Sequence, residues 1–129
     1  MIAMELNFTG LIAATSAFLG IWLGHVAVRV IESNAKTLLP PILIAIILGL
    51  AFEWFSLSTS NLQLSTATGI LGITVLWDAF ELIRQEKRVK KGHAPANSNN
   101  PRHARILAEY PEATTIDLLK REPVTQVDR

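Results

Sequence analysis

The chain contains no cysteine among its 129 residues. Disulfides, iron–sulfur clusters and thiol chemistry are therefore excluded, and the redox compartment is left open. A basic excess is missing too: 12 Lys and Arg against 11 Asp and Glu leave a net charge of +1. Nucleic-acid-binding domains carry a clear surplus of positive charge, so that class is set aside. Positive charge is also absent from long stretches. No Lys or Arg precedes Arg29, and none lies between Lys36 and Arg84. The opening MIAMELN thus lacks the basic region of a secretory signal, and Gly10 to Ile31 is too long for a signal core, so the first apolar segment is expected to be retained. There is no phosphate-binding glycine loop, nucleophile motif or catalytic triad pattern. His93 and His103 do not have zinc-ligand spacing. His25 is the only His in the apolar part, so a bis-His haem would need a second chain. The expectation is a protein that is not an enzyme and has no cofactor or metal.

What the chain does have is apolar sequence, in three blocks at about 8–31, 38–56 and 66–90. About 20 helical residues rising ~1.5 Å each cross a hydrocarbon core of ~30 Å. The sequence therefore predicts an all-α fold: an integral membrane three-helix bundle over residues 1–92, followed by a polar tail over 93–129 with short helices. Pro40-Pro41 suit the first turn of the second span, where missing N–H groups cost nothing. Gly92 suits the position just past the end of the third. In the tail, Arg102 to Tyr110 reads as a short helix ending at Pro111. Thr114-Thr115-Ile116-Asp117 resembles a capping box that opens a second one, stopping before Pro123. Helices this short are marginal alone and need a surface, for which Ile106, Leu107, Tyr110, Ile116, Leu118 and Leu119 are available.

Charge sets the expected orientation. With three spans, the N-terminus and the Ser/Thr-rich loop lie outside, and the Lys36 loop and tail lie in the cytoplasm; every Lys and Arg then falls on one side. The run from Gln85 to Lys91 next to the exit either sets topology alone or also attracts anionic lipids.

Small residues recur along the first span. Gly10, Ala13, Ala17, Gly20, Gly24 and Ala27 form a ridge that includes a G-x-x-x-G motif, and Ala45, Gly49 and Glu53 share a face of the second. Such faces let backbones approach closely, within one chain or between chains. Glu53 is expected either to face the bundle or to reach the outer headgroups.

The third span carries a polar stripe of Thr74, Asp78, Glu81, Gln85 and Arg88. A carboxylate inside a membrane must be paired, protonated or hydrated. With the first and third spans taken as antiparallel, helical rise sets His25 level with Asp78 or Glu81, and Arg29 level with Glu81 or Arg84. Cross-helix pairing of His25 and Arg29 with Asp78 and Glu81 is the expectation, with Arg29 and Glu32 otherwise ordinary interfacial residues. A rival reading makes Glu53, Asp78, Glu81 and His25 a proton or cation path in an oligomer.

Several residues resemble a known family. Asn7-Phe8-Thr9-Gly10, His25, and LWDAFELIRQEKRVKKGHAPANSNNPR from Leu76 to Arg102 are similar to the small bacterial membrane proteins grouped as domain of unknown function 4491. The matching pattern is Leu76-Trp77, Glu81, Gln85, Arg88-Val89, Lys91-Gly92, and Asn97 or Asn100 with Pro101. Val26 stands where that family has Pro, and His93-Ala94 where it has an aromatic pair. The resemblance implies about three spans, a bacterial inner-membrane location and a role for the third-helix motif, and it implies no activity. The expected function is a non-catalytic subunit or self-associating membrane component. Its expected partners are the bilayer, anionic lipids among its components, and further copies or a larger membrane complex.

Overall fold

A computed structural model describes residues 6–118 and 120. Its helices are α1 (Thr9–Asn34), α2 (Leu39–Ser58), α3 (Leu62–Lys90) and α4 (Pro101–Glu109), with no strand among the described residues. The first three are each long and apolar enough to cross a membrane. The fold is therefore the all-α membrane architecture that the apolar blocks predict. α3 starts ahead of the expected Thr66 because Asn61 caps it, its side chain accepting from the N–H groups of Gln63 and Leu64, both at 3.0 Å. The connection from α2 is correspondingly short. It is closed by a reciprocal pair of bonds: Ser56 Oγ donates to the Ser65 carbonyl at 2.7 Å, and Ser65 Oγ to the Ser56 carbonyl at 2.9 Å.

α3 is the middle element. It packs along both α1 and α2, which scarcely touch each other. The glycines show why. A Cβ on Gly20 would meet Leu71 and Thr74, and one on Gly24 would meet Asp78, so residues 71, 74 and 78 of α3 face α1. A Cβ on Gly49 would meet Leu76; one on Gly69 or Gly72 would meet Ser56 or Glu53, so residues 69, 72 and 76 face α2. At about 100° per residue these two sets lie on roughly opposite sides of α3. The three helices therefore form a flat layer with two separate seams. The G-x-x-x-G motif is used inside the chain, on the α1–α3 seam.

The contacts along α1 and α3 ascend together, from Gly20 with Thr74 to Gly24 with Asp78. The two helices run parallel, which corrects the antiparallel expectation. Three successive crossings leave the first and third pointing the same way.

The buried apolar cluster is not between the spans, most of whose large side chains are exposed. It lies at the end of α3, where Val89, Ala94, Ala96 and Ile106 pack with Leu107 and Ala113. The chain reaches it through a sharp stop. Gly92 has φ +71°, its N–H bonds the Val89 carbonyl at 3.1 Å, and the His93 N–H reaches back to the Arg88 carbonyl at 2.8 Å. This is a Schellman motif, and Gly supplies the left-handed residue that it needs. α4 then starts on Asn100, whose side chain accepts from the Arg102 N–H at 3.0 Å, with Pro101 in its first turn.

The second tail helix does not form over residues 114–118. The Thr114 carbonyl, which would accept the first helical bond, takes the Ala96 N–H at 2.8 Å instead, and the Thr114 hydroxyl takes the Ile116 N–H at 3.1 Å. Leu119 and the expected stop before Pro123 lie outside the described residues.

Candidate functional site

The densest polar cluster sits where α1 ends. A helix leaves its last carbonyls without intrahelical partners. Here one partner comes from the next loop: the Ala35 N–H bonds the Ile31 carbonyl at 2.8 Å. The others come from residues more than 60 positions away. Asn97 Nδ2 and Asn100 Nδ2 both donate to the Ser33 carbonyl, at 3.1 and 2.9 Å. Asn100 Nδ2 also donates to the Ala35 carbonyl at 3.0 Å, as does Arg102 Nε at 3.1 Å. Arg102 Nη2 donates to the Glu32 carbonyl. The segment from 97 to 102 thus caps α1, and its arginine brings positive charge to the negative end of the helix dipole.

The same guanidinium clamps α1 to α3. Nη2 lies 2.9 Å from Glu32 Oε1, and Nη1 lies 2.8 Å from Glu86 Oε2. Glu86 is held on its other oxygen by Lys90 Nζ at 2.5 Å. Glu32 is only 1% exposed, so its charge needs these partners. His103, 0% exposed, completes the set. Its Nδ1 accepts the Asn97 N–H at 2.8 Å, so the ring proton belongs on Nε2, which donates to Glu32 Oε1 at 2.9 Å. A doubly protonated ring would lose the Asn97 bond. No buried side-chain nitrogen or oxygen lacks a partner among the described residues.

The residues expected to pair across the first and third helices are placed differently. α1 buries Gly20, Gly24, Val28 and Glu32, a ridge with a spacing of four. His25 and Arg29 each stand one residue beyond it, about 100° around the helix, and both are exposed. Neither forms an ion pair with Asp78 or Glu81. Arg29 Nε instead makes a long 3.4 Å bond to the His25 carbonyl on its own helix. Glu81 is buried and pairs within α3, with Arg84 at 2.9 Å and Arg88 at 3.6 Å. Gln85 is buried and accepts from Arg88 Nη1 at 3.1 Å. Asp78 lies against Gly24, and with His25, Trp77 and Phe80 it lines an open cavity of about 560 Å³. Glu53 lies against Gly72 on the other seam, and Ala45 is half-buried on the same helix.

One part of the chain therefore does what the sequence leads one to expect, and another does not. Thr74 and Asp78 of the α3 stripe do lie against α1, but what they meet is a glycine ridge. Among the described residues, the acids whose ion pairs join different helices are Glu32 and Glu86, and their partners Arg102 and His103 had no assigned role. Two signals pointed there: a carboxylate at the unfavourable end of a helix dipole, and the Asn-Pro pair that opens α4.

A family model matches residues 7–100 of the chain, from the residue before the first span through the cap of α4. The chain belongs to the family described as a domain of unknown function (DUF4491). The match takes in Glu32, Asn97 and Asn100 and stops just short of Arg102 and His103. No curated protein and no solved structure matches the chain. Family and fold together make this a membrane protein whose family has no assigned activity.

Proposed function

We propose that this DUF4491 protein is a non-catalytic component of a bacterial inner membrane, acting as a subunit of a larger assembly or as a self-associating unit. The observation that carries the reading is the burial of the α1 cap. Glu32 and His103 are 1% and 0% exposed, so the cluster with the most converging polar groups is closed to a substrate and acts as a fastening. It fixes the segment from Gly92 to Ala113 rigidly on one face of the membrane layer. A surface held this way suits a partner protein or a second copy.

The orientation that goes with this has the N-terminus outside and the docked segment in the cytoplasm. It is supported by Arg29, Lys36 and the described Lys and Arg residues from Arg84 to Lys120, which belong to the helix ends and loops on that one face. The rival reading, a cation path through Glu53, Asp78, Glu81 and His25, draws little from the geometry. Glu53 is on the α2 seam while Asp78 is on the α1 seam, on opposite sides of α3.

Native mass spectrometry of the full chain in mild detergent, with affinity purification from membranes, tests the proposal. A defined homo-oligomer, or a membrane protein co-purifying at fixed stoichiometry, is expected. Proton or cation flux in vesicles that is lost in Asp78→Asn, from a homo-oligomer as much as from a monomer, overturns it.

A further inference from the structure

The cavity between α1 and α3 does not end at His25. A second cavity of about 340 Å³, lined by Arg29, Gln85, Arg88, His93, Pro95 and Asp117, shares that residue. The first is apolar apart from His25, Asp78 and Thr74, and is walled by Ile21, Ile73, Trp77 and Phe80. The two chambers differ in chemistry and follow one another along the seam. From Arg88 to Trp77 is eleven residues of helix, about 16 Å, close to the ~15 Å depth of one leaflet's hydrocarbon. The volume of the apolar chamber is that of a ligand site, within the usual range of roughly 300–1,000 Å³.

The polar chamber favours an anion. Arg29 has only the 3.4 Å bond to a backbone carbonyl, leaving its two terminal nitrogens available. Arg88 holds Gln85 with Nη1 and Glu81 at 3.6 Å with Nη2. Among the side chains that line it, Arg29 and Arg88 outnumber Asp117 by one, the complement of a singly charged phosphodiester. Guanidinium groups match phosphate oxygens in geometry as well as charge.

We infer that the α1–α3 groove is a binding site for one anionic phospholipid, its phosphate held by Arg29 and Arg88 and one acyl chain lying on Ile21, Trp77 and Phe80. This site is independent of whether the protein is a subunit or a homo-oligomer.

Native mass spectrometry of the full chain, titrated with phosphatidylglycerol or with phosphatidylcholine of the same chains, tests it. One phosphatidylglycerol per chain is expected, preferred by about thirtyfold, since each arginine near an anionic lipid is worth roughly fivefold. The Arg29→Gln/Arg88→Gln double variant should remove the preference. Lys36→Gln, a basic residue of the same face outside both cavities, should keep it. Trp77→Ala should weaken retention of both lipids. Inorganic phosphate at millimolar concentration should not displace the lipid. Equal binding of the two lipids, a preference that survives in the double variant while the protein remains helical and monodisperse, or displacement by phosphate alone would each overturn the assignment.

Discussion

Replacing Arg102 by Met keeps the length of the side chain and removes its charge and every donor. Four acceptors then lose a partner: the Glu32 carboxylate, the Glu32 and Ala35 carbonyls, and Glu86. Removing one member of a buried ion pair costs about 3–5 kcal/mol because the other charge stays buried. His103 still bonds Glu32 and Lys90 still holds Glu86, which sets the cost near the lower end, about 3 kcal/mol. The loss falls chiefly on docking of the segment, since the glycine contacts along both seams do not involve Arg102. At 1.4 kcal/mol per factor of ten, opening of α4 rises on the order of a hundredfold. Amide hydrogen exchange in detergent reads this directly, with α2 as the internal reference because it packs on the far seam. Exchange over 101–109 should accelerate by that factor in Arg102→Met while α2 is unchanged. Combining it with Glu32→Gln should cost less than the sum of the two, because the second change removes the stranded charge. Acceleration below about threefold would refute the assignment of Arg102 as the principal fastening.

The glycines are expected to rank by what a methyl group would meet. Gly49→Ala drives a Cβ to 2.6 Å from Leu76 Cγ and 3.0 Å from the Gly72 carbonyl, and should lower stability in detergent by about 1–3 kcal/mol. Gly72→Ala meets the mobile end of Glu53 and should cost less; Gly10→Ala, with nothing within 4 Å, should be neutral or slightly stabilising by thermal unfolding. Gly92→Ala places a side chain at φ +71° against the Glu112 carbonyl. It should cost at least about 1–2 kcal/mol from the left-handed conformation alone. Limited proteolysis should then cut the Gly92–Ala113 segment faster, with the spans intact; unchanged cleavage would count against the Schellman stop.

Much of this was legible in the sequence. Three apolar blocks gave three spans, Gly92 gave the stop of α3, and Asn100-Pro101 opens the helix expected from Arg102. These features are local: each depends on residues within a turn or two. Two members of the α3 stripe, Thr74 and Asp78, do lie against α1. The partners across that seam were misassigned because the ridge of α1 is shifted by one residue, to Gly24 and Val28 from His25 and Arg29. One residue is about 100° on a helix, enough to turn a side chain from the packed seam to the open groove beside it. The α1 cap was not legible, because it joins Glu32 to Arg102 across 70 positions and no periodicity links them. A non-local bond also hid the fate of Thr114, whose carbonyl is claimed by Ala96 before a helix can use it.

The cap also imposes an order on synthesis. The carbonyls at the end of α1 and the carboxylate of Glu32 are made early, but Asn97, Asn100, Arg102 and His103 emerge only after α3 is complete. Until then the first helix is unfinished at one end and carries an unmatched negative charge. The cap can therefore close only once all three crossings have been made. A chain halted before Asn97 would hold every span and still lack the part that closes it.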